Sequence, residues 1–295
     1  MALRTTISER QRRLGAELRK LREQAGLTVS EAGGLIGMGR VHLTHVEAAR
    51  TAIPTPRLRA LCESYGCTSA TYVDALVCLS EDKGKGWWSA YKGKLPASAL
   101  DLAELEAKAD ALASYESLFI PGIFQTEDYT TSIFRADDEV NTPEAIETAV
   151  GFRMARQGIL TGERPPEVHA VIHEAALHMR FGGAAVMRKQ LLRLIELSEL
   201  PNVTIQVLPF AAEGVSTLST PFLVLSSHGR ALQTVLLETP AESLFLHDAE
   251  PITKYRKQFD RLRAAALPPI DAKVSPATHE TRDSLGLIQY VLYTL

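Results

Sequence analysis

Three polar residues in the second half of the chain, Arg153, Arg156 and Gln157, are spaced to share one face of a helix. Two guanidinium groups placed one turn apart can hold a phosphate or a carboxylate through paired hydrogen bonds. The same arginines can instead have a structural role, bridging Glu147 or Glu163 and the helix ends. The spacing therefore predicts either an anion-binding cluster or an ion-paired one, and both alternatives stay open.

Two glutamates, Glu174 and Glu238, follow apolar segments that have the pattern of buried strands. An unpaired carboxylate is costly in a protein interior, so each glutamate is expected either to pair with an arginine or to have a function. Pairing with Arg153 or Arg156 is the most economical arrangement. It would place glutamates and arginines in one polar pocket, as ligand-binding groups or as catalytic carboxylates.

Gln125 and Trp88 are two further candidates for binding a ligand. Gln125 lies in a Pro-Gly turn before a helix N-terminus, whose free N–H groups suit an anion. The same turn can simply form a corner of the fold. Trp88 follows Trp87, and two adjacent indole rings can stack on a ligand or begin a hydrophobic core.

His169, His173, Glu174 and His178 include residue types that bind metals, but their spacing does not favour a metal site. Three residues separate the glutamate from the last histidine, whereas the helical zinc motif has two. The three cysteines of the chain lack CxxC spacing, which argues against both a disulfide framework and a zinc site. The chain also contains no glycine-rich nucleotide loop, so we expect no metal and no cofactor.

The stretch from Leu27 to Arg50 predicts two short helices joined by a tight turn at residues 37–39. A glycine in so short a link lets the backbone adopt a positive φ, so the second helix can cross the first steeply. Leu43 and Val46 fall on the inward face of the second helix. Its other face is then free to enter a DNA major groove. The pair Gly33-Gly34 weakens the first helix by about 1 kcal/mol per glycine.

Residues 14–65 carry a set of positions typical of one family of DNA-binding regulators: Leu14, Leu18, Leu21, Gly26-Leu27-Thr28, Gly37, Val46, Glu47 and Leu61. With these residues the stretch resembles the helix-turn-helix of the Xre and phage-repressor family. The resemblance implies that outward residues of the second helix read bases, namely Arg40, Val41, Thr44 and His45. It also implies phosphate contacts, which position the domain, from His42 and Arg50.

The charged residues are unevenly distributed along the chain. Residues 1–78 contain 11 Lys/Arg and 7 Asp/Glu, a net charge of +4, whereas residues 79–295 contain 21 and 28, a net charge of −7. Only the N-terminal part therefore has the positive charge that phosphate binding needs. We predict a mainly α, five-helix domain at 1–79, a polar linker at 80–86 and an α/β domain at 87–295.

The C-terminal part alternates between helical and strand patterns, which is typical of an α/β domain. The predicted helices cover residues 101–118, 127 onward, 142–160, 184–197, 250–265 and 276–293, and the predicted strands cover 168–172, 203–208, 221–226 and 232–237. The last helix carries an apolar stripe that forms a dimer interface or docks on the domain's own sheet: Leu285, Ile288, Val291 and Leu292.

The C-terminal part also carries a long series of family positions in order: Trp88, Tyr115-Glu116, Pro121-Gly122, Gln125-Thr126, Tyr129, Arg153, Arg156-Gln157, His173-Glu174, Leu177, Gln190-Leu191, Pro201-Asn202-Val203, Val207-Leu208-Pro209, Phe222 and Glu238. With them it resembles the uncharacterised domain that follows an Xre helix-turn-helix in many actinobacterial regulators, a group abundant in streptomycetes. The resemblance implies that the domain senses a small molecule or binds a partner, such as a small acidic protein.

Together these features predict a sequence-specific, double-stranded DNA-binding transcriptional regulator that forms a homodimer. The alternatives are a C-terminal enzyme acting on a nucleotide or phosphodiester, and an antitoxin-like binder controlled by a protein partner. No apolar run reaches the ~18 residues of a membrane span, and the N-terminus lacks the apolar core of a signal peptide. We therefore expect a cytoplasmic protein with no membrane partner.

Overall fold

The structure is a computed structural model that describes residues 3–137, 142–214, 220–239, 241–271, 273 and 282–295. The chain divides into two compact units. The N-terminal unit comprises Met1–Lys92, Pro96–Leu105 and Ser227–Leu232, and the C-terminal unit comprises Gly93–Leu95, Glu106–Ser226 and Gln233–Leu295. The segment predicted as a linker, residues 80–86, lies within the N-terminal unit. Its role as a joint between domains stays a prediction.

The N-terminal unit begins with five helices, which confirms the predicted fold class for this part of the chain. They are α1 (Glu9–Gln24), α2 (Val29–Leu35), α3 (Arg40–Glu47), α4 (Thr55–Ser64) and α5 (Ala70–Glu81), and a sixth helix, α6 (Ala97–Glu106), follows. Polar caps begin two of them, because Thr28 Oγ1 accepts from the Glu31 N–H and Ser69 Oγ accepts from the Tyr72 N–H. Between α5 and α6, Trp87–Tyr91 forms a 3₁₀ turn.

The core of this unit is a cluster of leucines that the helices turn inward. Leu18, Leu43, Leu58, Leu61 and Leu76 are fully buried, and they come from α1, α3, α4 and α5. Burying each such side chain stabilises the fold by roughly 1.5–3 kcal/mol. This core holds α3 by one face and leaves its opposite face to solvent.

The C-terminal unit is built on a six-stranded mixed sheet in the order β3-β2-β1-β4-β5-β6, which confirms the α/β class. The strands are β1 (Ala111–Glu116), β2 (Glu167–His173), β3 (Val203–Leu208), β4 (Phe222–Ser227), β5 (Leu232–Glu238) and β6 (Ser243–Leu246). β1, β2 and β3 are parallel, while β4 is antiparallel to β1 and β6 is antiparallel to β5. The carboxyl ends of the three parallel strands therefore meet at one edge of the sheet.

Helices connect these strands and flank the sheet. They are α7 (Glu127–Arg135), α8 (Pro143–Arg156), the short α9 (Glu174–His178), α10 (Ala184–Leu197), α11 (Ala249–Ala265) and α12 (Ser284–Thr294). Thr126 caps α7 and Thr142 caps α8, because their side chains accept from the Tyr129 and Ala145 N–H groups. α9 and the edge strand β6 are too short to stand out in the sequence. None of the described helices is long and apolar enough to cross a membrane.

The helix predicted over residues 101–118 is wrong in its second half. The chain leaves α6 at Glu106, and residues 111–116 form the central strand β1. Leu102, Leu105, Ala109 and Leu112 have helical spacing, but β1 pairs with β2 on one side and with β4 on the other. Pairing on both sides outweighs the weak local preference of Ala-Leu-Ala-Ser-Tyr-Glu for a helix.

The apolar stripe of α12 packs inside its own unit rather than forming a dimer interface. Leu285, Ile288 and Val291 are buried, and α12 contacts α9, α10 and β3. This outcome corresponds to the second of the two alternatives that the sequence leaves open. The predicted start of this helix at residue 276 lies outside the described residues.

Candidate nucleic-acid interface and polar cluster

The outward face of α3 is accessible and combines hydrogen-bonding with apolar groups. Arg40 and Thr44 are exposed, His45 is partly exposed, and Val41 keeps 69% of its surface accessible. The inward residue Leu43 is fully buried. Such a face can offer a guanidinium group to guanine, an imidazole to a base edge and an apolar side chain to the methyl group of thymine.

The two predicted phosphate-binding residues flank this face. His42 is partly exposed in α3, and Arg50 is exposed three residues after the helix ends. Arg40 and Arg50 make no ion pair with any described residue. Both guanidinium groups are therefore available to an anion in solution.

A buried ion pair fixes α3 against α1. Arg22 on α1 donates to both carboxylate oxygens of Glu47, at 2.7 and 3.0 Å, and to the Leu27 carbonyl at 2.8 Å. Gly15 allows the close approach, because a β-carbon there would lie 2.3 Å from the Glu47 carbonyl oxygen. α1 therefore positions the C-terminal end of α3.

Two glycines, Gly33 near the end of α2 and Gly37 in the connection, allow the chain to turn before α3. Gly37 has φ +65° and the Met38 N–H donates to the Gly33 carbonyl at 2.7 Å. A β-carbon at Gly33 would lie 2.3 Å from the Met38 carbonyl oxygen, whereas Gly34 has open space around it. The turn therefore requires Gly33, and Gly34 has no such role.

In the C-terminal unit, Arg156 binds Glu106 rather than any of the partners predicted from the sequence. Arg156 Nε and Nη2 donate to the two carboxylate oxygens of Glu106 at 2.8 and 2.6 Å, and both side chains are buried. Glu147 and Glu163 are exposed and make no ion pair with it among the described residues. Glu106 is the last residue of α6 and lies 50 positions from Arg156 in the chain, so no local pattern indicates that the two residues meet.

Gln125 connects the arginine helix to the Pro-Gly turn. Its side-chain oxygen accepts from Arg153 Nη1 at 2.9 Å and from Thr130 Oγ1 at 3.0 Å, and its amide nitrogen donates to the Ile120 carbonyl at 2.8 Å. Gln157 Nε2 donates to the Gln125 backbone carbonyl at 2.6 Å. Gln125 is 2% exposed with its side-chain hydrogen-bonding groups occupied, so it forms the corner of the fold.

Glu116, at the carboxyl end of β1, lies near Arg153 and Glu238, and the sequence did not mark it as a site residue. We call Glu106, Glu116, Arg153, Arg156 and Glu238 the polar cluster. Burial and the Glu238 carboxylate together raise the pKa of Glu116 to about 8, while Arg153 opposes this shift. Part of Glu116 is nevertheless accessible to solvent. The sequence signal was its place in the Tyr115-Glu116 pair, which marked only a family resemblance.

The cluster contains more carboxylates than guanidinium groups. Arg156 is neutralised by Glu106, which leaves Arg153 between Glu116 and Glu238. Arg153 also lies over the Phe134 ring, 4.7 Å from its centroid. A proton on Glu116 balances the cluster near neutral pH, so this carboxyl group can donate a hydrogen bond.

Glu174 and Trp88 each contact other residues within their own unit. Glu174 accepts from the Phe210 N–H at 2.7 Å and lies 3.7 Å from His178, so its predicted pairing with an arginine is wrong. Trp88 belongs to the N-terminal unit and is 6% exposed, with Gly86 against its ring. Its environment is that of a core residue.

The histidines near β2 have partners within the protein. His169 Nε2 is 2.7 Å from Gln206 Oε1, and His173 Nδ1 accepts from the Ala175 N–H at the start of α9. Burial lowers the pKa of both histidines. Within the described ranges, no group of three His, Cys, Asp or Glu side chains is arranged to hold a metal ion.

Sequence comparison finds a match to a known family model in each part of the chain. Residues 13–76 match a helix-turn-helix domain, which suggests DNA as a partner. Residues 99–273 match the family described as "Domain of unknown function (DUF5753)", and because that match covers more than half of the chain, the protein belongs to this family. No curated protein and no solved structure shows a significant match.

Proposed function

We propose that this protein is a sequence-specific transcriptional regulator of the Xre type, related to the actinobacterial regulators that it resembles. The observation that carries the proposal is the face of α3, where Val41 is 69% exposed beside exposed Arg40 and Thr44 while Leu43 is fully buried. An exposed apolar residue between hydrogen-bonding groups suits the floor of a major groove. The helix-turn-helix domain match supports the same conclusion.

In this proposal the residues of the interface have distinct roles. Arg40 binds guanine, Val41 contacts a thymine methyl group, and Thr44 and His45 bind base edges. His42 and Arg50 bind phosphates and set the position of α3 in the groove. The side chain of Arg50 is exposed and that of His42 is partly exposed.

The test is Arg40→Ala, measured on an operator selected from a random duplex library and on a scrambled duplex. The expected loss is roughly 1–3 kcal/mol on the operator, with relaxed preference at one base pair. Arg19→Ala is the matched control, since Arg19 is an exposed arginine on α1 paired with Glu23. Equal binding of parent and Arg40→Ala to both duplexes would show that α3 does not read bases.

A homodimer is part of the proposal, because one such domain makes few base contacts for a large genome. A two-fold dimer reads two half-sites about 34–36 Å apart on one side of the duplex. The buried stripe of α12 cannot supply the interface, so another surface must. Sedimentation of the full chain with and without a selected operator measures the oligomeric state, and a selected sequence without inverted symmetry would contradict the dimer.

We further propose that the C-terminal unit binds an effector at the polar cluster around Arg153. The favouring observation is that the side chains of Glu116 and Glu238 make no hydrogen bond among the described residues, yet both keep solvent access at one end of the sheet. Ligands in open α/β sheets commonly bind outside the carboxyl ends of parallel strands.

Native mass spectrometry of purified protein, followed by assays of nucleotide turnover, separates the alternatives. A bound small molecule that is lost in Arg153→Ala and kept in Glu147→Ala, without turnover, supports an effector site. Turnover supports a C-terminal enzyme instead. A captured protein with neither result supports control by a partner, as in an antitoxin.

A further inference from the structure

The cations of the N-terminal unit separate into a paired group and an unpaired group. The paired group includes Arg59 on α4, which binds Asp74, and six residues of α1: Arg10, Arg12, Arg13, Arg19, Lys20 and Arg22. The helix that is most basic in sequence is therefore largely neutralised in the fold. Its charge cannot supply the phosphate contacts of a DNA-binding domain without breaking these pairs.

The unpaired group begins at the chain N-terminus, beside the end of α3. The Arg4 N–H donates to the Arg50 carbonyl at 3.0 Å, and Arg4 Nη1 donates to the Ala49 carbonyl at 2.9 Å. Arg4 is partly exposed and has no carboxylate partner among residues 3–137. It therefore places a second guanidinium next to exposed Arg50.

The chain that leaves α5 starts beside the same connection. Ser80 Oγ donates to the Ile53 carbonyl at 2.9 Å, and Thr55 Oγ1 donates to Glu81 Oε1 at 2.7 Å. These two bonds hold the end of α5 against the segment that runs from α3 to α4. Residues that immediately follow α5 therefore lie near that segment.

A fixed turn then presents two lysines. Gly84 has φ +63°, its N–H donates to Asp82 Oδ1 at 2.7 Å, and Arg10 packs against it. Lys83 and Lys85 flank this glycine, and both are exposed. The described residues provide neither lysine with an ion-pair partner, whereas the nearby Glu81 is already hydrogen-bonded to Thr55.

We propose that Arg4, Lys83 and Lys85 form a second phosphate-binding strip, which contacts the DNA backbone beside the groove occupied by α3. The proposal rests on the DNA-binding function proposed above. An α-helix about 10–12 Å across fills a major groove about 12 Å wide, so groups just beyond the end of that helix meet backbone phosphates. Lysine binds phosphate as a point charge, without base preference.

The test compares the salt dependence of DNA binding in the full-length parent and in Lys83→Ala/Lys85→Ala. The probe is a mixed-sequence duplex of about 30 base pairs, three helical turns, because phosphate contacts do not require an operator. Loss of two contacts is expected to reduce the slope of log K against log salt by about 1.8 and to weaken binding. Lys254→Ala/Lys257→Ala is the control, since these lysines on α11 are also exposed.

The outcomes distinguish this inference from the proposed function. A parent that retains no duplex at low salt contradicts DNA binding itself. If the parent binds and the Lys83/Lys85 variant keeps the parent slope, the strip is wrong while DNA binding stands. Equal losses in both double variants would also overturn the strip, because they would indicate a general charge effect. Thermal unfolding of each variant checks that the fold is intact.

Discussion

Arg22 and Glu47 form a two-pronged, buried ion pair that joins the first helix of the N-terminal unit to the end of its candidate recognition helix. Both side chains are less than a tenth exposed. Arg22 also holds the Leu27 carbonyl at 2.8 Å, so one guanidinium links α1, the entry to α2 and the end of α3. The orientation of α3 thus depends on Arg22, a residue of α1 that is not part of the exposed face of α3.

Arg22→Ala is expected to lower the free energy of unfolding by roughly 3–5 kcal/mol, because Glu47 is left as an unpaired, buried charge. Arg22→Ala combined with Glu47→Ala should lose less than the sum of the single changes. Arg19→Ala, which breaks an exposed pair with Glu23, should lower the free energy of unfolding far less, because water screens that pair. Urea denaturation of the full chain measures all of these changes, and additive single effects would contradict the coupling.

The adjacent glycines of α2 are expected to respond in opposite directions to alanine. Gly33→Ala forces a β-carbon against the Met38 carbonyl oxygen and should destabilise the turn before α3. Gly34→Ala meets open space and should stabilise the helix by up to about 1 kcal/mol. Thermal midpoints of the two variants test this contrast, and a shift in the same direction for both would contradict it.

Glu106→Ala should destabilise the C-terminal unit by roughly 3–5 kcal/mol, because it leaves the buried guanidinium of Arg156 without its partner. Glu147→Ala and Glu163→Ala remove exposed carboxylates and should change stability by about 0.5 kcal/mol or less. Denaturation followed by circular dichroism compares the three variants. A loss in Glu147→Ala as large as that in Glu106→Ala would favour the pairing expected from the sequence.

The raised pKa of Glu116 predicts a pH dependence of stability. The pKa is about 8 in the fold against 4.5 for a free glutamate, so folding favours the protonated form. The stability associated with this proton is fully present below about pH 4.5 and is lost as the pH rises through about 8.

Thermal midpoints at pH 6 and pH 9 should therefore differ more in the parent than in Glu116→Gln, whose amide imitates the protonated carboxyl group. His169 and His173 have lowered pKa values and change stability in the opposite direction at lower pH, but parent and variant share that effect. An identical pH dependence in both proteins would show that Glu116 titrates normally.

The sequence was a good guide where structure is local. The helix predicted over residues 184–197 is α10, and the strand predicted over residues 203–208 is β3. Apolar spacing also predicted which residues of α3 turn inward. Each of these features depends on neighbours within a few positions, so the residue order alone contains the necessary information.

The prediction from sequence was wrong where a strand depends on pairing with neighbouring strands. Residues 111–116 have helical spacing, yet they form the centre of the sheet, and this error hid the position of Glu116 at the end of β1. The partners of Arg156 and Glu174 were likewise chosen by distant parts of the chain.

The order of residues by itself determined the helix-turn-helix, the outward face of α3 and the α/β character of the second part. Only the tertiary structure decided which charges are available. It joins the cations of α1 to carboxylates, leaves Arg4, Lys83 and Lys85 without an ion-pair partner in the part of the chain that the structure describes, and brings Glu116 beside Arg153. Charge pairing depends on distances between residues far apart in the chain, and local periodicity contains no information about those distances.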